Sequence, residues 1–221
     1  MSSALPSPGD SPPVADDAAA VRAPRRARGQ LRVEALLAAA AEVFASKGFD
    51  AATMTEIAAQ SESSIGSLYQ FFRTKEAVAD ALIREQVEAL WQRLDGLAER
   101  APTLATPQLG QVLAACFVEF RADHPSFATL VERPGPPSPL IAGVRRTVRE
   151  RVEAILLRHA PHADRKTLHA MAPVVQHAMK SAVQLRGDLE GAELKAAMRE
   201  LESMLAGYLV ARLQAAPGAS A

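Results

Sequence analysis

The chain has 221 residues, 48% of them apolar, with 25 Lys or Arg set against 25 Asp or Glu. That length admits one small unit plus one larger domain, and the zero net charge excludes a protein that is basic throughout. An alanine- and leucine-rich texture with only 12 glycines and no useful run of alternating apolar and polar residues argues against a sheet and predicts an all-α fold.

Residues 1–24 are rich in Pro, Ser, Ala and Asp and nearly free of large apolar side chains, so they are expected to stay disordered. The basic run that follows, Arg25, Arg26 and Arg28, reads either as an arm for phosphate or the minor groove or as a solvated basic tail. The charge is unevenly spread. From Arg22 to Lys75 there are eight Lys or Arg against five Asp or Glu.

A first helix is predicted from about Gln30 to Ser46, where Val33, Leu36, Leu37, Ala40, Val43 and Phe44 recur at three- and four-residue steps. Gly48 stops it, and Phe49 folds back onto its end. Thr53 with Glu56 then forms a capping box for a second short helix whose inward residues are Ile57 and Ala58. A third opens at Ser63 and Ser64, with Leu68 and Phe72 one turn apart on its buried face. Its opposite face carries Ile65, Gly66, Ser67 and Tyr69, small at the N-terminal end, where bulk would hold a helix away from the floor of a DNA major groove. Two short helices in this relation make a helix-turn-helix.

These residues carry a resemblance. Lys47-Gly48-Phe49, Thr53, Ile57-Ala58, the run Ser64 to Gln70, Phe72 and Lys75-Glu76-Ala77 resemble the DNA-binding domain of the tetracycline-repressor (TetR) family of bacterial transcription regulators, without a gap from about Val33 to Leu82. The resemblance implies that Thr53, Ser64, Tyr69 and Lys75 hold phosphates, that Ile65, Gly66 and Ser67 meet base edges, and that Gln70 adds a base or phosphate contact. Two departures stand out. The turn has Glu62-Ser63 where the family usually has Gly-Val, at a cost of about 1 kcal/mol for a left-handed Glu, and a slight rearrangement of the turn is expected. Thr55 stands where the family usually has an arginine, so one phosphate contact is expected to be lost.

Thr74 caps a long helix from about Lys75 to Ala101, buried along Val78, Leu82, Val87, Leu90, Leu94 and Leu97. It is either a lever between two domains or a rigid spacer. Further helices are predicted at about Pro107–Ala122, Pro125–Glu132, Leu140–His159, Asp164–Arg186 and Glu190–Ala215, with a proline-rich loop over 133–139. The last two form a hairpin, with a seam of Leu194, Ala197, Met198, Leu201, Leu205, Tyr208 and Leu209 used within the chain or across a twofold axis. The family resemblance implies the twofold use, hence a homodimer. The domains are therefore a tail (1–24), a helix-turn-helix domain (25–74), a helical ligand-binding and dimerisation domain (75–216) and a tail (217–221).

No catalytic set holds together: there is no phosphate-binding glycine loop, no HExxH and no Gly-x-Ser-x-Gly elbow. His159, His162, His169 and His177 read as surface or interface residues before metal ligands, so neither metal nor cofactor is expected. The lone Cys116 sits among apolar neighbours as a buried structural thiol and fits a reducing compartment. With no apolar run of about 18 residues and no signal peptide, a cytoplasmic protein is expected. Trp91, Phe117, Phe120 and His177 are the candidates for a pocket that takes an apolar or aromatic small molecule. The function that follows is a ligand-responsive regulator, a repressor acting as a homodimer on a palindromic DNA operator. The alternative is a helical interaction module that keeps the fold without DNA recognition.

Overall fold

The computed structural model describes residues 17–132 and 138–213, with side chains from 27 onward. Within them lie α1 (Asp17–Ala51), α2 (Met54–Gln60), α3 (Ile65–Phe71), α4 (Lys75–Arg100), a 3₁₀ turn (Ala101–Thr103), α5 (Thr106–Asp123), α6 (Pro125–Val131), α7 (Pro139–His159), α8 (Arg165–Asp188) and α9 (Gly191–Leu213), and no strand. The all-α expectation holds, and from α2 to α9 the boundaries fall within about two residues of those read from periodicity.

The N-terminal boundary differs. α1 begins at Asp17, inside the stretch expected to be disordered, because an alanine run followed by arginines has high helical propensity even without an apolar face to bury. Residues 1–16, the side chains of Arg25 and Arg26, the heart of the proline-rich loop (133–137) and the tail 217–221 lie outside the described residues.

Gly48 breaks α1 with φ 77°, a left-handed value that costs glycine little. The break turns Phe49 back to stack on Phe44, with ring centroids 5.7 Å apart. α1, α2 and α3 then close a small core around Leu36, Phe44, Ile57 and Leu68, each fully buried.

α4 carries that core onward. Its Thr74 cap accepts from the Ala77 N–H at 3.1 Å, and its buried stripe runs from Val78 through Leu82, Val87 and Leu90 to Leu97. At 26 residues it is about 39 Å long, and it joins the head and the larger domain in one apolar cluster. α5 packs against both α8 and α9, which also pack on each other, and it comes so close to α9 that a Cβ on Gly110 would meet the Ala206 backbone nitrogen at 2.9 Å. His159 fastens the far end: its Nδ1–H donates to the Ala101 carbonyl at 2.8 Å and its Nε2 lies 3.0 Å from the Thr106 hydroxyl.

Candidate nucleic-acid interface and an adjoining pocket

Thr53 and Glu56 make the full capping box. Thr53 Oγ1 accepts from the Glu56 N–H at 3.2 Å and donates to Glu56 Oε2 at 2.9 Å, while the Thr53 N–H donates to the same oxygen at 3.0 Å. Lys47 Nζ lies 2.6 Å from Glu56 Oε1 and ties α1 to α2. The Lys47 bond first, and the Thr53 bonds second, hold the Glu56 carboxyl below its ordinary range.

The turn after α2 is not rearranged. The Ser63 N–H donates to the Ala58 carbonyl at 2.9 Å and the Glu62 N–H to Ala59 at 3.1 Å, the bond pair of a Schellman stop. Glu62 takes the left-handed position at φ 52°, alone in that region among the described non-glycine residues. The helix-stop geometry therefore overrides the residue preference, and the ~1 kcal/mol strain is retained. Ser63, in the place of the family's usual valine, is half-buried and donates to the Ser61 carbonyl at 3.3 Å.

α3 is anchored through Leu68, fully buried, and Phe72, which is 8% exposed. Outward stand Ile65, Gly66, Tyr69 and Gln70, with Ile65 at 39% and Tyr69 at 49% exposure. A Cβ on Gly66 would meet nothing within 4 Å, so its small size is not required by packing inside the protein. Ser64 is exposed and caps α3, accepting from the Ser67 N–H at 3.2 Å. Its own proton has no acceptor among the described residues.

Three expected contact residues are placed differently from the simple expectation. The Ser67 hydroxyl is buried with no partner among the described residues, because its helical position turns it toward the head. The Thr53 proton is spent on Glu56. Lys75 Nζ donates to the Asp50 and Ala52 carbonyls at 3.0 and 2.8 Å, and lies 4.6 Å from the Phe49 ring centre. It closes the end of α1, leaving one of three ammonium protons free. Two residues of this surface were missed from sequence: Phe71, 38% exposed, and Arg73, exposed with no ion pair among the described residues. Arg73 is signalled only by its place in the turn leaving α3.

In the larger domain a cavity of about 690 Å³, counting the part open to solvent, lies among α4, α5, α6, α7 and α8. Phe117 and Phe120 line it, together with Leu90, Phe127, Ile141 and Val148. Trp91 and His177 do not. Trp91 is instead covered by the Arg151 guanidinium, 4.8 Å from its ring centre. His177 is exposed, its Nδ1–H donating to the Pro173 carbonyl at 2.7 Å. Both face other sides of their helices, a distinction that residue type does not encode. Burial pushes the Cys116 thiol up to about 12, so it stays protonated and unreactive near neutral pH. Among the described residues no cluster of three or more His, Cys, Asp or Glu side chains is placed to hold a metal, and no helix is long and apolar enough to cross a membrane.

A three-helix head that offers the outer face of its third helix, continued by one long helix into an α-helical domain with an apolar pocket among its helices, defines a helix-turn-helix protein with a helical companion domain. Family comparison matches residues 36–82 to the bacterial regulatory proteins of the tetR family, and residues 107–209 to the tetracyclin repressor-like C-terminal domain. The chain belongs to the TetR family, whose members are non-enzymatic DNA-binding transcription regulators. No curated protein matches it.

Solved structures share the fold. The transcriptional regulator FadR from Bacillus subtilis, in complex with stearoyl-CoA, aligns with TM-score 0.60 at 15% identity, covering 78% of this chain and 97% of its own. A TetR-like regulator from Rhodococcus sp. RHA1 aligns with TM-score 0.57 at 22% identity, covering 81% and 96%. A regulator from Aquifex aeolicus VF5 aligns with TM-score 0.59 at 17% identity, covering 79% and 97%.

Proposed function

We propose that the protein is a ligand-responsive repressor that binds a palindromic operator as a homodimer, one α3 from each subunit entering successive major grooves. The observation that carries this reading is the outer face of α3: Ile65, Gly66, Tyr69 and Gln70 stand free of the core while Leu68 and Phe72 lock the helix beneath them. Gly66 lets the helix approach the base edges, and Ile65 is placed to meet a thymine methyl. Ser64, Tyr69, Arg73 and the remaining Lys75 proton serve the phosphates, with Gln70 able to reach either. Thr53 and Ser67 support the reader by shaping it, since their hydroxyls are turned to the protein.

The dimer reading is supported by α8 and α9. Beyond their buried residues these helices leave Val174 49% and Met204 58% exposed, with the small Ala196, Ser203, Gly207 and Ala211 also outward on α9. A twofold axis at this face would cover the large apolar residues and let the helices pack closely.

Ligand response would run through α6. Phe127 and Val131 form part of the cavity wall, while Thr129 donates to the Phe44 carbonyl of α1 at 3.2 Å and Ser126 Oγ accepts from the buried Gln86 of α4 at 2.8 Å. A molecule that displaces Phe127 therefore shifts the helix that grips both α1 and α4. A ligand with differential affinity for the two arrangements would favour heads at the wrong separation for DNA. For the alternative, an interaction module without DNA recognition, the Schellman geometry removes a rearranged turn as support, while the negative charge of Glu62 on this surface is unchanged.

The test is selection of bound fragments from random duplex DNA, with the stoichiometry of the purified complex. This reading requires a pseudo-palindromic site, half-sites about one helical turn or a multiple of it apart, and two subunits or a multiple of two per site. A monomer on DNA, or no enriched sequence, refutes it.

A further inference from the structure

The cavity wall is largely apolar, yet three cations line it from three helices: Arg121 of α5, Arg145 of α7 and Lys180 of α8. Facing them is one carboxylate, Glu132, and it is taken, lying 2.9 Å from the Arg121 guanidinium. Arg145 and Lys180 make no ion pair among the described residues. Lys180 is half-buried, and a partly desolvated ammonium beside an apolar cavity attracts an anion more strongly than one in open water. The two cations come from facing helices held in register by Gln176, whose Nε2–H donates to the Arg145 carbonyl at 3.2 Å.

We propose that the cavity takes an amphipathic anion: a flexible apolar chain laid against Phe120, Phe127, Ile141 and Val148, with its acidic group at Lys180 and Arg145. This rests on the reading of the cavity as the effector site, and it adds an acidic group to the expected apolar or aromatic ligand. The acidic group is a carboxylate or a phosphate. Both have oxygens suited to an ammionium and a guanidinium, and Arg145 is able to hold either through two N–H donors.

The experiment compares four probes of one chain length, n-dodecanoate, dodecyl phosphate, 1-dodecanol and dodecyltrimethylammonium, below their micelle concentrations, by calorimetry on the full chain. The anions should bind at least about tenfold more tightly than the alcohol, and the cation should be weakest. The ratio of the two anions tells carboxylate from phosphate. Lys180→Met, which keeps the length and the apolar stem, should remove most of the anion's advantage while leaving dodecanol binding unchanged. Arg145→Met should act the same way and serves if the Lys180 variant fails to fold. Alcohol or cation binding as tightly as the anions, with Phe127→Ala weakening it, overturns the charge assignment but keeps the cavity as a ligand site. No binding by any probe overturns both.

Discussion

The head and the larger domain are both helical, but their working parts are assembled differently. In the head every proposed contact residue from Thr53 to Lys75 lies in one run of chain, held by local caps and a Schellman stop. In the larger domain Leu90, Arg121, Arg145 and Lys180 come from four helices and meet only when those helices pack. A local device leaves its mark in spacing. A site closed by tertiary packing does not.

The largest effect on that contrast should come from removing the anchor of α3. Leu68→Ala opens a cavity at a fully buried position, at about 2–5 kcal/mol. Hydrogen exchange should show protection lost over 54–71 and kept in α8, and DNA binding should disappear. Loss spread evenly over both regions would show that they do not stand apart.

Next is the junction. Ser126→Ala strips the Gln86 side chain of its one hydrogen bond among the described residues, where its Oε1 already lacks a partner, so a cost of about 1–3 kcal/mol is expected in urea unfolding. Adding Gln86→Leu should recover most of it, because both polar partners are then gone. Failure of the double variant to recover would mean that packing, not the hydrogen bond, holds α6 to α4.

How much was legible follows from these same residues. The helices of both regions were readable because apolar residues recur at helical steps, and the head was readable to the level of single caps. What spacing does not show in the head is where each side chain turns. The family resemblance implies a phosphate contact for Lys75, and the structure adds that its ammonium also reaches the Asp50 and Ala52 carbonyls, a contact made only when α4 folds back beside the end of α1. In the pocket, Phe117 and Phe120 were placed on the wall and Trp91 and His177 were not, since four aromatic rings look alike until the rotation of each helix is known. The cations went unnoticed for the same reason: in sequence Arg145 and Lys180 are two more charges on amphipathic helices.

A smaller effect sharpens the local side. Glu62→Gly relieves the left-handed strain at φ 52° and should raise thermal stability by about 1 kcal/mol. A loss instead would show that Glu62 makes a compensating contact. Smallest is a pH effect. Glu56, whose carboxyl is held low by Lys47 and Thr53, adds stability that is full above its unfolded pKa and fades as pH falls through its lower folded value. Glu56→Gln should therefore flatten the acid limb of the unfolding curve. An unchanged limb would remove the capping box from the account.

If the outer face of α3 reads DNA, Gly66 is the position at which that contact is isolated. No neighbour lies within 4 Å of a Cβ there, and leucine favours a helix more than glycine does, so Gly66→Leu should melt at the same temperature as the parent or higher. On a duplex recovered by selection, its affinity should fall by about tenfold or more, through steric exclusion from the groove. A variant equally stable that binds the same duplex undiminished would mean that this face of α3 does not enter the groove.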